Sequence, residues 1–242
     1  MAKASGLGQR LFIGGSNVSG DIGSIDNAAS PVAPLDVTGI DKSAIERIGG
    51  LKDGALDYTA FFNPSDDQAH EVFSALPTTD VHELYCTGTT LGDPAAGMLA
   101  KQINYDGKRG NDGSLTFTVQ SQAAAGTPLE WGRLLTAAPR TDTTATNGSS
   151  YDFGAQSTAG LAAYLQVLGF TGTSCTVKLQ ESSDDGGADT WADVTGGSFG
   201  AQSAVGASRI QTSTSLTVER YLRVATTGTF SSCAFAVLVV RY

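Results

Sequence analysis

A chain of 242 residues is long enough for one large domain or two ordinary ones, each with a sizeable core. Its 40% hydrophobic content with only 16% charged residues excludes a disordered chain, and its 30 glycines suit an all-β protein with many turns. The net charge of −9, concentrated in the first 148 residues (17 acids against 10 bases), argues against a grip on nucleic acid, because phosphate affinity comes from Lys and Arg. It is compatible with a surface past which DNA slides.

In chain order, Arg10–Ile13 is the first expected strand, and Ser16–Leu35, with small residues and two prolines, is expected as an adaptable loop or weak hairpin. The aromatic run Asp57–Phe62 predicts a strand. Ser65–Leu76 predicts a helix. Ser65 and Gln68 have capping-box spacing, Asp66 and Asp67 fall in the first turn, Ala69, Val72, Phe73 and Leu76 form one apolar face, and Pro77 stops it. Such a helix must pack its face on a sheet. Strands resume at Val81–Thr87. Met98–Tyr105 and Ser114–Gln122 predict a hairpin across the turn-rich Asp106–Gly113.

In the second strand of that hairpin Leu115, Phe117 and Val119 alternate with Thr116, Thr118 and Gln120; in the first, Gln102 and Asn104 are expected on the polar side. The expectation is that Leu115, Phe117 and Val119 lie under Val72, Phe73 and Leu76, leaving Gln102, Asn104, Thr116, Thr118 and Gln120 on a wet, uncharged face. The stretch 141–150 is small, polar and aperiodic, and reads as a linker between domains at 1–140 and 151–242. Beyond it Ala159–Phe170, Ser174–Glu181, Arg209–Thr217, Arg220–Ala225 and Cys233–Arg241 are strand-like, with turns at Ser182–Ala188 and Gly196–Gly200. That spacing predicts an antiparallel β-sandwich. The repeated FGAQS at Phe153–Ser157 and Phe199–Ser203 is too short to argue duplication.

Chemistry is sparse. Cys86, Cys175 and Cys233 are odd in number and none lies in a CxxC pair, so core thiols are expected rather than disulfides or zinc ligands. His70 and His82 match no metal spacing and are read as structural; Cys86 beside His82 lacks the setting of a Cys–His nucleophile. There is no G-x-S-x-G elbow and no phosphate-binding G-x-x-x-x-G-K. Asp184, Asp185, Asp189 and Asp193 surround a Gly-rich turn without EF-hand spacing, and read as a solvated hairpin end. Trp191 is expected in a sandwich core, and Lys108–Arg109 is the only dense basic spot of the first domain. The apolar stretch in MAKASGLGQRLFIGG is too short for a signal peptide, and no run approaches membrane-spanning length. The expectations are no cofactor, no metal, no catalytic group, no membrane, and synthesis in the cytoplasm.

Three stretches carry a resemblance: DGALDYTAFFNPSDDQAHEVFSALPTTD at Asp53–Asp80, TGTTLGDPAAGMLAKQINYDGKRGNDGSLTFTVQ at Thr87–Gln120, and PLEWGRLLTA at Pro128–Ala137. Over roughly residues 1 to 140 the chain resembles major tail proteins of siphophages, particularly those infecting actinobacteria. The last third resembles the β-sandwich appendage many tail proteins carry. The resemblance implies a tail-tube β-sandwich or half-barrel with one flanking helix, hexameric rings that stack, and hairpins that close a barrel around a lumen. It implies a virion location in the phage tail. The implied partners are the chain itself, a tape measure protein, a tail terminator, distal tail or baseplate proteins, and viral DNA passing without specific binding. On this reading Gln102, Asn104, Thr116, Thr118 and Gln120 face the lumen. Lys42, Glu46, Arg47, Lys52 and Asp53 belong to a loop that orders between stacked rings, as Ser16–Leu35 does. The competing expectations are a virion decoration or carbohydrate-binding β-sandwich module, and an enzyme on a β-scaffold, which the lack of an acid–base constellation disfavours.

Overall fold

Period-two patterning dominates the chain, and the computed structural model, which describes residues 5–77 and 79–242, turns it into a mainly β protein with one short helix among those residues. The N-terminal half runs β1 (Arg10–Ile13), β2 (Ser16–Asn17), β3 (Ile22–Ala29), β4 (Val32–Asp36), β5 (Arg47–Lys52), β6 (Ala55–Phe61), α1 (Ala69–Ser74), β7 (Val81–Cys86), β8 (Pro94–Arg109), β9 (Leu115–Ala123) and β10 (Glu130–Leu134). The remainder runs β11 (Arg140–Asp142), β12 (Asn147–Asp152), β13 (Leu161–Ser182), β14 (Ala192–Gln202), β15 (Gly206–Gln211) and β16 (Tyr221–Arg241). Fourteen strands belong to one hydrogen-bonded network, whose main path is β14-β13-β16-β10-β8-β7-β1-β2; β4 and β5 form a separate pair. Every pairing is antiparallel. The mainly β, antiparallel class expected from the sequence is the one observed.

Several boundaries differ from expectation. Ser16–Leu35 holds β2, β3 and most of β4, each paired with a strand outside that stretch, instead of a loop or a weak hairpin. The four separate C-terminal strands expected at 159–170, 174–181, 220–225 and 233–241 are two long bent ones, β13 and β16, which pair from Leu161↔Arg241 to Ser182↔Tyr221. Register shifts at Val167/Gly169, Thr171/Gly172 and Gly172/Ser174 bend the ribbon. At Gly172, φ is +149° and a Cβ would lie 2.4 Å from Phe230 Cα, so the bend requires glycine.

The helix is shorter than the predicted Ser65–Leu76. Asp67 has φ +59° and Leu76 φ +46°, both outside helical geometry. The capping box does not form: Gln68 is the N-cap and its side chain makes no cap bond. Asp21, distant in sequence, instead accepts the Ala69 N–H at 3.0 Å and the Asn63 amide at 2.9 Å. A tertiary carboxylate thus satisfies a helix N–H left without an intrahelical partner.

Three apolar clusters fill the interior. One lies within the C-terminal sandwich and includes Leu165, Val177, Leu222 and Phe235. A second lies in the N-terminal half around Leu11, Tyr58, Phe73, Met98 and Val119. The third joins Phe12, Leu84, Cys86, Ala95 and Leu134 to Ala162, Tyr164, Ala236, Leu238 and Val240, and so belongs to both halves. The stretch 141–150 is no free linker: β11 and β12 are hydrogen-bonded to β16, and β10 bridges β8 to β16. Asp142 is buried with Arg140 at 2.7 Å and the Thr226 hydroxyl at 2.7 Å.

Polar contacts lock the same seam. Buried Gln166 accepts the Gly15 N–H at 2.8 Å and donates to the His82 carbonyl at 2.8 Å. Glu130 accepts from Tyr164 Oη at 2.5 Å, from Arg209 at 2.9 Å, and from the Tyr242 hydroxyl. Burial and the Glu130 carboxylate push the Tyr164 hydroxyl's pKa up, keeping it a donor. Gly97 leaves room for the Tyr164 ring, 2.6 Å from where a Cβ would sit.

A chain ended at Arg140 would strip the partners from Phe12, Leu84 and Leu134, and is expected to lose cooperative folding. A sharp thermal transition by circular dichroism at the full-length midpoint would show the N-terminal half to be independent. Gln166→Ala leaves the Gly15 N–H and His82 carbonyl unpaired, and is expected to cost about 1–3 kcal/mol in urea denaturation.

Candidate functional site

The outer strands of the N-terminal half form a four-stranded sheet in the order β3-β6-β9-β8. Its two faces differ. Leu56, Tyr58 and Ala60 of β6 pair with Ser121, Val119 and Phe117 of β9 on the inner face, where all but Phe117 are buried. Asp57, Thr59 and Phe61 pair with Gln120, Thr118 and Thr116 on the outer face.

Of the five residues expected to share the polar face, the structure brings together Asn104, Thr116, Thr118 and Gln120. Gln120 N–H donates to Asn104 Oδ1 at 2.9 Å, and the Asn104 amide donates to Gln120 at 3.2 Å. Gln102 departs from this set. A bulge leaves Ile103 between the pairs Gln102↔Ser121 and Asn104↔Gln120, which shifts the alternation by one residue. Gln102 therefore sits on the inner face with Ser121, donating to the Phe73 carbonyl at 2.8 Å. The bulge also puts Tyr105 opposite Val119.

The face contains residues the sequence reading did not assign to it. Asp57 accepts from Asn27 at 3.1 Å, Asp26 from Thr59 at 2.9 Å, and Asp106 from Asn104 at 2.7 Å. The alternation in Asp57–Phe61 is the signal that could have found Asp57 and Thr59. Lys108 pairs with Thr116 toward the hairpin end. Apart from the exposed Phe61, the surface is thus polar and acid-rich, with its carboxylates held by amide and hydroxyl donors.

The residues expected to join helix and sheet divide. Phe73 and Val119 are buried in one cluster, with Val72 packed against it. Leu76 is 44% exposed and Leu115 36% exposed, because the helix ends before Leu76 and Leu115 begins its strand at the hairpin tip. Phe117 lies flat on Tyr105 with ring centroids 4.1 Å apart, and Phe62 and His70 close the stack. Gly107 permits this, since a Cβ there would lie 2.6 Å from the Phe117 ring.

Among the described residues both lateral edges of the sheet are open: β3 pairs only with β6, and beyond Ala100 β8 pairs only with β9. Three antiparallel steps separate them, so the two edge strands run in opposite directions. Between β3 and β6 the β4–β5 hairpin projects with all of β4 exposed. Val32, Leu35, Ile45, Ile48 and Leu51 are exposed on it. Lys42 pairs with Glu46 at 3.5 Å at its tip, Arg47 opens β5, Lys52 ends it, and Asp53 closes the base, donating its N–H to the Pro31 carbonyl at 3.0 Å.

Among the described residues no group of His, Cys, Asp and Glu is placed to hold a metal, and no helix is long and apolar enough to cross a membrane. The three cysteines are free and buried; burial pushes Cys86 and Cys175 to about 12, where they are poor nucleophiles. Trp191 lies half-buried under the Arg223 guanidinium, 4.3 Å from its ring centroid. Beneath the inner face, Tyr58 Oη, Glu83 Oε2 and Ser121 Oγ are buried without hydrogen-bond partners. Burial, with a smaller push from Asp57, raises Glu83 to about 8, while Ser121 Oγ, near it but outside hydrogen-bond geometry, opposes the shift.

Between the ordinary glutamate value of 4.5 and about 8, Glu83 stays protonated in the fold while the unfolded chain ionises. Stability contributed by this group is therefore fully present below about pH 4.5 and falls as pH rises toward 8. Glu83→Gln is expected to flatten the fall, measured as the urea midpoint against pH; an unchanged slope would show Glu83 ionised in the fold.

No protein-family model matches the chain, and no curated relative matches it. Among solved structures, a protein in the virion of a native gene transfer agent particle aligns at 12% identity and TM-score 0.37, over 49% of this chain and 94% of its own. The Dit protein of phage SPP1, described as a hub of the adsorption apparatus in phages infecting Gram-positive hosts, aligns at 11% identity and TM-score 0.34, over 97% of this chain and 99% of its own. A chain of the phage p2 baseplate in its activated conformation aligns at 8% identity and TM-score 0.35, over 97% of this chain and 98% of its own.

Proposed function

We propose that this chain is a structural, non-enzymatic protein of a phage tail that assembles with copies of itself into a tube for DNA. The observation that carries the reading is the four-stranded sheet β3-β6-β9-β8, with two open edges of opposite direction and one polar face. An isolated protein with two such edges exposes rows of unpaired N–H and C=O groups. A rotated second copy can set its β3 edge antiparallel to the first copy's β8 edge, and repetition around an axis closes a barrel with no edge left.

The sequence resemblance adds the six-fold ring, the stacking of rings, and contacts with tape measure, terminator and distal tail proteins. The inner face already packs against α1 and the rest of the N-terminal half, so the polar face with Asn104, Thr116, Thr118 and Gln120 is left to line the channel. Asp26, Asp57 and Asp106 give that wall an acidic bias against Lys108, repeated in every copy. An acidic channel repels phosphate and lets DNA pass without adhesion. Gln102 is not part of this wall. The β4–β5 hairpin, with its exposed apolar residues, is a projection that stacking would bury.

Negative-stain microscopy of concentrated protein is expected to show rings or tubes; dispersed monomers that bind glycans would favour a carbohydrate-binding module instead. In virions carrying Thr116→Lys and Thr118→Lys, tubes are expected to assemble while DNA ejection slows, most at low salt. Unchanged ejection, with both lysines labelled by a probe too large for the channel, would place the face outside.

A further inference from the structure

A cavity of about 310 Å³ opens beside α1, lined by Ser16, Asp67, Glu71, Val72, Glu83 and Gln102 among others. Its charged lining is entirely acidic. Asp67 and Glu71 stand exposed at its rim, whereas Glu83 is only 2% exposed and leaves Oε2 unpartnered. Glu71 accepts the Asp67 N–H at 2.5 Å, and Glu83 brings to the same lining a buried carboxyl with an oxygen left without a donor; such a set of acids suits a cation with several N–H groups.

The same chain displays such a cation on its projecting hairpin. Arg47 is exposed and stands in register with Asp36, but no ion pair or hydrogen bond holds its guanidinium among the described residues. It lies at the tip end of β5, beside the exposed Ile45 and Ile48. Guanidinium suits the cavity better than ammonium, because its planar fork can bind more than one carboxylate at once.

We infer that Arg47 on the β4–β5 hairpin of one copy seats in the acidic cavity beside α1 of a second copy, among the carboxylates of Asp67, Glu71 and Glu83. This rests on the self-assembly reading and names the contact by which the hairpin engages its neighbour. Tyr58 and Ser121 lie beside Glu83 on the inner face, Asp57 acts on it from the outer face, and Asp67 and Glu71 share its cavity, with no cation among the cavity residues. The incoming guanidinium favours the ionised carboxyl, so seating releases a proton and assembly strengthens as pH rises toward about 8.

Arg47→Cys chains mixed with Glu71→Cys chains are expected to give an interchain disulfide on oxidation of formed tubes; the native cysteines are buried and do not compete. Arg47→Glu is expected to raise the concentration needed for assembly at least about tenfold, and Glu71→Arg in the same chain is expected to restore it. Glu83→Gln should flatten the pH dependence of assembly. Tubes of the mixed cysteine variants without the cross-link, or Arg47→Glu assembling like the unaltered chain, would overturn the inference and leave the tube reading standing. An unaltered chain that stays monomeric at high concentration would overturn both.

Discussion

The rest of the molecule depends on one constraint: the paired ends of β13 and β16 are buried on both faces. Leu161, Ala163, Leu165 and Val167 face the sandwich cluster, while Ala162, Tyr164 and Gln166 face the N-terminal half. Phe235, Val237 and Val239 of β16 face the first side, and Ala236, Leu238 and Val240 the second. A strand wet on one face could end a domain; a strand dry on both must be covered twice. The N-terminal half supplies that second cover with Phe12, Leu84 and Leu134. The two halves therefore share a core, and the C-terminal sandwich acts as a brace for β1, β7, β8 and β10.

This brace sets the conditions for the four-stranded sheet. β8 begins inside the shared core, where Gly97 admits the Tyr164 ring, and runs outward to Arg109. Its inner end is fixed by pairing on both sides with β7 and β10, and its outer end has a neighbour on one side only. The anchored end gives the outer end a defined position and leaves an edge whose N–H and C=O groups are available to another chain. The bulge at Ile103 falls where the strand leaves the core, a common place for a strand to re-aim its side chains.

The buried polar groups follow two patterns. At the seam, Gln166 and the Glu130–Tyr164–Arg209 cluster are satisfied by one another and fix the relation of the two halves. Under the four-stranded sheet, Tyr58, Glu83 and Ser121 retain unpaired atoms. A fully paired network stabilises a seam that stays closed, whereas an unpaired carboxyl beside a cavity is a cost that a second molecule can relieve.

The sequence by itself determined the class, because period-two alternation and glycine-rich turns admit little besides antiparallel sheet. It placed Arg10–Ile13 and the β8–β9 hairpin, and put Thr116, Thr118 and Gln120 on one face, since alternation within an unbroken strand is a local property. It misassigned Gln102, because a bulge depends on the partner strand and leaves no mark on local patterning. It overextended the helix, because Asp21, far away in sequence, supplies the cap that a local Ser65 motif promised. The apolar runs Leu161–Leu168, interrupted only by Gln166, and Phe235–Val240 are the pattern of strands buried on both sides, so the shared core was legible in principle; the polar stretch 141–150 masked it by resembling a linker. Long-range packing binds both ends of that stretch to β16, leaves the sheet with two open edges among the described residues, and lines one cavity with Glu83, Asp67 and Glu71. Each of these is a contact between segments distant along the chain, set by packing and strand partnership rather than by any residue's own neighbours.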